Sequence, residues 1–391
     1  MCVWWLFYLQ HEKSLRPAII DNIIKILSCG LSIRGYAIFR CSNSQCSHTK
    51  RVCFSCKGRF CPTCGKKLTE QWIKKQQAVL PQTTWQHITY TMPGELWELF
   101  NLNRFLLNDL SRVAANTLLK TAQNKGIMPG IFTALHTFGR DLKWNTHVHV
   151  SATLGGLTLD KTQWKSLYFS QKSIKKMWRY SIIQLLRKHY DQLVLPEAIE
   201  RACPTYTHFN RWLNTHYQKT WNVHFAKPNP SHKKNVAYLG RYVKRPPLAM
   251  SRLEHYDGHL VIFNYLDHRS KTHRRFSCSA AEFMGRFTQH IPDKGFRMIR
   301  YYGFLANRVR GLLLPKVYNL LNQPEKNAIP LRWPELQKLT FGSDPMECIL
   351  CRSKLTLAEK HVGLSQKALH QYHRQLATQK PIYWPSQAKS V

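Results

Sequence analysis

Apolar positions along the chain change period several times, and each change predicts an element. Ala18 to Leu27 places isoleucines at helical spacing, an amphipathic helix, and Leu68 to Leu80 predicts a second one that Pro81 ends. In Gln86 to Met92, Ile88, Tyr90 and Met92 alternate with polar residues before Pro93-Gly94, the signature of a strand with one buried face. The period returns to helical from Leu96 to Ala122 through Leu106, Leu107, Leu110, Val113 and Leu118. Strand character follows at Gly130 to Phe138 and at Thr146 to Leu154, closed by Gly155-Gly156. Strand, long helix, strand, strand is the order of an α+β layer, an antiparallel sheet with helices packed on it.

Residues 157–230 read as mixed and helical up to the break Pro228-Asn229-Pro230. Ser231 then caps a short, very basic helix over 231–245 that Pro246-Pro247 terminates. A hairpin is predicted from Leu260 to Tyr265 and Thr272 to Cys278, followed by helix and loop, and the remainder reads as a lower-order tail.

Charge narrows the class. The 391 residues carry 58 Lys and Arg against 21 Asp and Glu, a net charge of +37, which a polyanion most readily offsets, with nucleic acid the leading partner. A hydrophobic content of 43% supports packed cores rather than a disordered basic tail. The apolar run Cys2 to Leu9 is far short of the roughly 20 residues that cross a bilayer, and it meets His11, Glu12 and Lys13 without a cleavage signature. It reads as one face of an ordinary helix in a protein of the reducing cytosol, with no membrane partner.

Six of the twelve cysteines (Cys41, Cys46, Cys53, Cys56, Cys61 and Cys64) crowd one stretch, which argues for metal rather than disulfides. Cys61-Pro-Thr-Cys64-Gly has the spacing of a zinc knuckle, and Cys41-x4-Cys46 can complete a structural Zn2+ site, with Cys53, Cys56 and His48 as rivals. Interleaved lysines and arginines make this region DNA-facing. Cys348-x-x-Cys351 is either half of a zinc site or a pair of buried thiols.

In the strand Thr146 to Leu154, His147 and His149 share a face with Val148 on the other, so both imidazoles can grip one ion. A lone strand histidine is more often structural, and the pair by itself decides nothing. Tyr238 and Tyr242 stand at i and i+4 on the basic helix, with Lys234, Arg241, Lys244 and Arg245 around them to hold phosphates. Phenols attack poorly unless cations favour phenolate and a metal polarises the electrophile. Together these features describe tyrosine attack on a DNA phosphodiester.

Ser55 to Gly65, Trp85 to Pro93, Leu135 to Leu142 leading to the histidine pair, Tyr238 to Tyr242, and Lys294 to Gly303 occur in an order that resembles a known family across nearly the whole chain. It is similar to the rolling-circle transposases of the insertion-sequence-91 type, two-tyrosine members of the HUH (histidine, hydrophobe, histidine) nuclease superfamily. The resemblance implies an HUH-type antiparallel sheet behind a small zinc-binding domain. It also implies a divalent Mg2+ or Mn2+ ion on His147 and His149, and Tyr238 and Tyr242 as nucleophiles forming 5′-phosphotyrosine links to single-stranded DNA at the element's ends and target. His87 and Asp141 are candidates for a third protein ligand. Two departures are Asn145-Thr146, where many relatives have His-Pro, and the four-residue spacing of Cys41 and Cys46.

The expected organisation is a zinc-binding, DNA-contacting domain over 1–80, a catalytic domain over 81–310 and a basic tail over 311–391, in a bacterial cytoplasmic, nucleoid-associated protein. The chain has no phosphate-binding G-x-x-x-x-G-K-[ST] loop, so no nucleotide cofactor is expected. Rival readings are a non-catalytic zinc-knuckle DNA-binding protein and a metal nuclease that uses water, with His149 as general base.

Overall fold

A computed structural model describes residues 3–378 apart from 232, 235, 238, 239, 241–245, 268 and 269. Its elements in chain order begin with α1 (Val3–His11), α2 (Pro17–Leu27), β1 (Gly35–Cys41), β2 (Thr49–Cys53), α3 (Pro62–Val79) and β3 (Trp85–Tyr90). Next come α4 (Trp97–Leu102), α5 (Leu107–Gln123), β4 (Ile127–Phe138), β5 (Trp144–Thr158), β6 (Trp164–Ser166), α6 (Gln171–Lys188), α7 (Glu197–Ala202), α8 (Tyr206–Thr215) and β7 (Val223–Phe225). The chain continues with β8 (Leu253–Tyr256), β9 (Leu260–Leu266), β10 (His273–Ser279), α9 (Ala280–Thr288) and β11 (Ile299–Gly303). It closes with α10 (Arg310–Leu320), α11 (Trp333–Phe341), β12 (Leu355–Val362) and α12 (Gln366–Thr378).

The centre is an antiparallel sheet in the order β11-β4-β5-β3-β7, with β6 on β5. Strand alternation gives it two buried faces. Ile88, Tyr90, Ile131, Leu135, Val148, Val150 and Ala152 point to one side, against α4, α5, α6 and α8. The α5 residues Leu107, Leu110, Ala114 and Leu118 recur at helical spacing and are nearly inaccessible. Burying such a side chain contributes roughly 1.5–3 kcal/mol each, which makes this the dominant core. Phe132 and Ala134 point to the other side, where Trp72 and Ile73 of α3 and Leu313, Leu314 and Val317 of α10 cover them.

The long helix expected over Leu96 to Ala122 is split at Asn103, whose backbone leaves the helical region. The Asn103 amide donates to the carbonyls of Leu99 and Val194 at 2.9 and 2.8 Å, and its oxygen accepts from the Val194 N–H at 2.8 Å. A buried side chain that satisfies a distant loop thus overrides local helical spacing. Helix α3 also starts six residues earlier than its apolar spacing indicates. Pro62 stands at its first position, where a missing N–H costs nothing, so the cysteine turn is the first turn of the helix.

The expected hairpin over 260–278 is present as β9 and β10, and β8 adds a third strand. The C-terminal part is more ordered than a tail. β12 pairs antiparallel with β1 in a second sheet, β12-β1-β2, and α12 lies on α1 and α2.

Lys233, Lys234, Val236, Ala237 and Gly240 are helical, and Ser231 Oγ accepts from the Lys234 N–H at 3.4 Å. Val236 is buried in the same core as Trp72, Ile73 and Ala134, and the Gln77 amide donates to the Lys233 carbonyl at 3.1 Å. A Cβ on Gly240 would stand 2.2 Å from Ile73 Cγ1. Gly240→Ala is therefore expected to lower stability by about 1–3 kcal/mol through overpacking against α3, seen as a lower urea midpoint. An unchanged midpoint would contradict this packing.

Candidate active site and metal centres

The loop 139–143 joins β4 to β5, and the register it sets brings the histidines together. His136 pairs with His147, Leu135 with Val148 and Ala134 with His149. Directly opposed residues share a face, so His136 joins the two imidazoles that alternation already places together. Ring centroids are 5.3 Å apart for His136 and His147, 4.8 Å for His136 and His149, and 5.0 Å for His147 and His149. Each of the three offers a ring nitrogen within 4.8 Å of the others. An ion with nitrogen bonds of about 2.1 Å spans up to about 4.2 Å between ligands, so small side-chain rotations close the group.

Surrounding hydrogen bonds orient the rings. His147 Nδ1 lies 2.8 Å from the Asn145 carbonyl, an acceptor only, which places the proton on Nδ1 and leaves Nε2 free to ligate. On β3, Thr89 is opposite His149, and His87 lies two residues away on the same face. His149 Nδ1 is 3.2 Å from His87 Nε2 and 3.3 Å from Thr89 Oγ1, and the His87 ring stacks on that of His149.

Among the described residues the trio includes neither of the third-ligand candidates from sequence. His87 sits behind His149 and supports it. Asp141 turns into the loop, where its carboxylate accepts from the Lys143 N–H at 3.3 Å. His136 was missed because a lone strand histidine has no local signal.

Burial favours the neutral, metal-binding form of His147 and His149. It pushes His149 well below its ordinary 6.5, with the neighbouring His136, His147 and His87 adding to the effect, and it also lowers His147. His87 falls to about 4, mainly through burial and then through His224.

Tyr238, Tyr242, Arg241, Lys244 and Arg245 lie outside the described residues. Lys234 is described and exposed. The described neighbours Val236 and Gly240 rest on Trp72 and Ile73, which share a core cluster with Ala134, the partner of His149.

The cysteines form two groups, which corrects the single set expected from Cys41, Cys46, Cys61 and Cys64. Cys61 and Cys64 gather with Cys29 and Cys56, whereas Cys41 and Cys46 gather with Cys348 and Cys351. Among the described residues the mixed set does not gather at one point. Cys53 pairs with Tyr36 near one end of β1 while Cys41 ends it, six residues from Gly35, about 20 Å at strand rise. Cys53 belongs to neither group.

In the first group the sulfur separations are 3.7 Å for Cys29 and Cys64, 3.7 Å for Cys56 and Cys64, and 3.6 Å for Cys29 and Cys61. A tetrahedron with Zn–S bonds of about 2.3 Å has edges of about 3.8 Å, so the thiols fit zinc. Cys61 and Cys64 also occupy the N-terminal end of α3, whose dipole favours thiolate.

Comparison with known proteins agrees with these features. Residues 4–92 match a family model described as "Transposase zinc-binding domain", and residues 130–311 match one described as "Putative transposase". The chain is similar to the "Transposase for insertion sequence element IS801" of Pseudomonas savastanoi pv. phaseolicola, with 40% identity over 367 residues, 93% of this chain and 89% of the relative. It is also similar to the "Putative transposase y4qJ" of Sinorhizobium fredii (strain NBRC 101917 / NGR234), with 30% identity over 359 residues, 88% of this chain and 89% of the relative. No solved structure gives a significant match. No described helix is long and apolar enough to cross a membrane.

The buried histidines give stability a defined pH dependence. His87 and His290 both fall to about 4 through burial, so the unfolded chain binds protons that the folded one refuses. Stability is intact above the unfolded value of 6.5 and falls as pH drops toward 4, by up to roughly 3 kcal/mol per histidine, then levels off for these groups. Urea midpoints of metal-free protein across that interval check this, and a flat profile would contradict it.

Proposed function

The chain belongs to the insertion-sequence-91 type of transposases, and from that premise we propose that it cleaves and rejoins single-stranded DNA through 5′-phosphotyrosine intermediates during rolling-circle transposition. The observation that carries the reading is the set of His136, His147 and His149 on one sheet face, beside the core cluster that receives Val236 and Gly240. Residues 1–80 serve as the zinc-binding, DNA-contacting part and 81–310 as the catalytic part, with residues from 311 onward returning to the first.

Tyr238 and Tyr242 are the proposed nucleophiles. The phenol oxygen forms a bond to phosphorus in line as the bond from phosphorus to the deoxyribose 3′-oxygen breaks. The phenol gives up one proton and the departing 3′-oxygen takes one. The resulting phosphotyrosine is still a diester, so the 3′-hydroxyl of another strand can attack it and release the tyrosine without an energy source. Two tyrosines allow two such links at once, one holding a cut end while the other cuts the next strand.

His136, His147 and His149 hold the divalent ion, which when bound supplies positive charge to the non-bridging oxygens of the scissile phosphate. His87 and Thr89 position the His149 ring through Nδ1 and keep Nε2 directed to the site. An all-imidazole donor set suits a transition ion better than the oxygen-seeking Mg2+, so Mn2+ is the preferred cofactor of the two expected. Lys234, Arg241, Lys244 and Arg245 draw in the phosphate backbone, and exposed aromatics can stack on bases.

Incubation with Mn2+ and a single-stranded oligonucleotide bearing an element end is expected to give a protein–DNA adduct that survives boiling in detergent. The Tyr238→Phe, Tyr242→Phe double variant should give none. His147→Ala should slow adduct formation on the order of 10³-fold, and Mg2+ should support less of it than Mn2+ at equal concentration. Binding without an adduct would favour the non-catalytic reading, and free 5′-phosphates would favour a water-using nuclease.

A further inference from the structure

The second cysteine group joins residues three hundred positions apart. Cys46 Sγ lies 3.8 Å from Cys348 Sγ, and Cys41 Sγ lies 3.3 Å from Cys351 Sγ. All four sulfurs fall within 4.8 Å of one another, and all four cysteines are free rather than disulfide-bonded. The first separation matches the roughly 3.8 Å edge of a zinc tetrathiolate and the second falls about 0.5 Å short of it.

The local backbone is built to present the second pair. The Cys348 N–H donates to the Ser353 carbonyl at 2.8 Å, the Arg352 N–H donates to the Cys348 carbonyl at 3.0 Å, and Arg352 adopts φ +63° to close the turn. The Leu355 N–H donates to the Met346 carbonyl at 2.7 Å as the chain leaves the turn. Leu355 then pairs with Cys41, so the register of β1 and β12 delivers one thiol pair to the other. His48 Nδ1, 3.2 Å from Cys348 Sγ, stands beside the group within hydrogen-bond reach of that sulfur.

The sheet around this cluster has little else to hold it. Of the eight residues of β12 only Leu355 is buried, and no side chain of β2 is. A three-stranded sheet without a covered apolar face is marginal in water, and small folds of this kind need a staple.

We propose that Cys41, Cys46, Cys348 and Cys351 bind a second structural zinc ion that clasps the C-terminal segment onto the N-terminal zinc-binding domain. The clasp holds β12 on β1 and keeps α12 seated on α1 and α2, where His370 meets Asp21 at 3.2 Å and the His373 ring stacks on Trp5 at 5.1 Å. Residues 1–80 alone therefore lack half of one metal site. This inference does not depend on the proposed DNA chemistry.

The full-length chain tests it. Zinc released by mercurial titration of the thiols, which leaves out any imidazole-bound ion, should amount to two per chain, falling to one in Cys348→Ser, Cys351→Ser. His48→Ala should keep two. Co2+ titration of the metal-stripped native chain should show thiolate charge-transfer bands saturating at two equivalents, a readout that needs no variant. After tryptic cleavage between 322 and 332, the C-terminal fragment should co-elute with the rest in the native protein and separate in the double variant. One zinc and one cobalt equivalent in the native chain, two zincs in the double variant, or a zinc lost with His48→Ala would overturn the four-cysteine site. A fragment that stays bound when the zinc count falls to one would overturn the clasp.

Discussion

The pairing of β4 with β5 is the constraint on which the candidate site depends. It sets His136 across from His147 and leaves His149 on the same face, opposite Ala134. A slip of one residue would turn the histidines of one strand toward the α5 side of the sheet, into a core of Leu135, Val148 and Val150. The register is held by that core, so the same burial that stabilises the sheet gathers the imidazoles. It also favours the neutral form of His147 and His149. A chain with a net charge of +37 gains nothing from further positive charge at one point, and an imidazole ligates a metal ion only in its neutral form.

Helix α3 ties the zinc-binding part to this face. Its first turn carries Cys61 and Cys64, and Trp72, about 12 Å further along the axis, lies against Phe132 of β4 and donates its indole N–H to the Tyr301 hydroxyl at 3.2 Å. Ile73 receives Gly240 on the other side of the same contact. A zinc that fixes the start of α3 thereby fixes the surface on which the segment around position 240 rests. The N-terminal zinc-binding region is thus also part of the scaffold that supports the face carrying the histidine trio.

What the sequence made legible was whatever depended on local spacing. The alternation around His147 and His149, the helix Pro17–Leu27, the hairpin of β9 and β10 and the Ser231 cap all follow from neighbours a few residues apart. What it hid depended on partners far along the chain. Asn103 breaks a helix because it bonds Val194, ninety-one residues on. Cys29 is a solitary cysteine until α2 and α3 bring it to Cys61 and Cys64. Cys348 and Cys351 meet Cys41 and Cys46 only because β12 returns to β1, a pairing with no signature in an exposed strand. His136 becomes visible only when the register of a bulged hairpin is known.

The account stands on the nearness of Tyr238 and Tyr242 to the imidazole trio. Fluorotyrosine incorporated into the full chain, with 19F resonances assigned by Tyr238→Phe and Tyr242→Phe, reports that distance when paramagnetic Mn2+ is added. Strong broadening of both signals in the native chain, absent in His147→Ala, His149→Ala, is the predicted result. Signals that stay sharp with Mn2+ bound at the trio, with and without single-stranded DNA, would contradict the account.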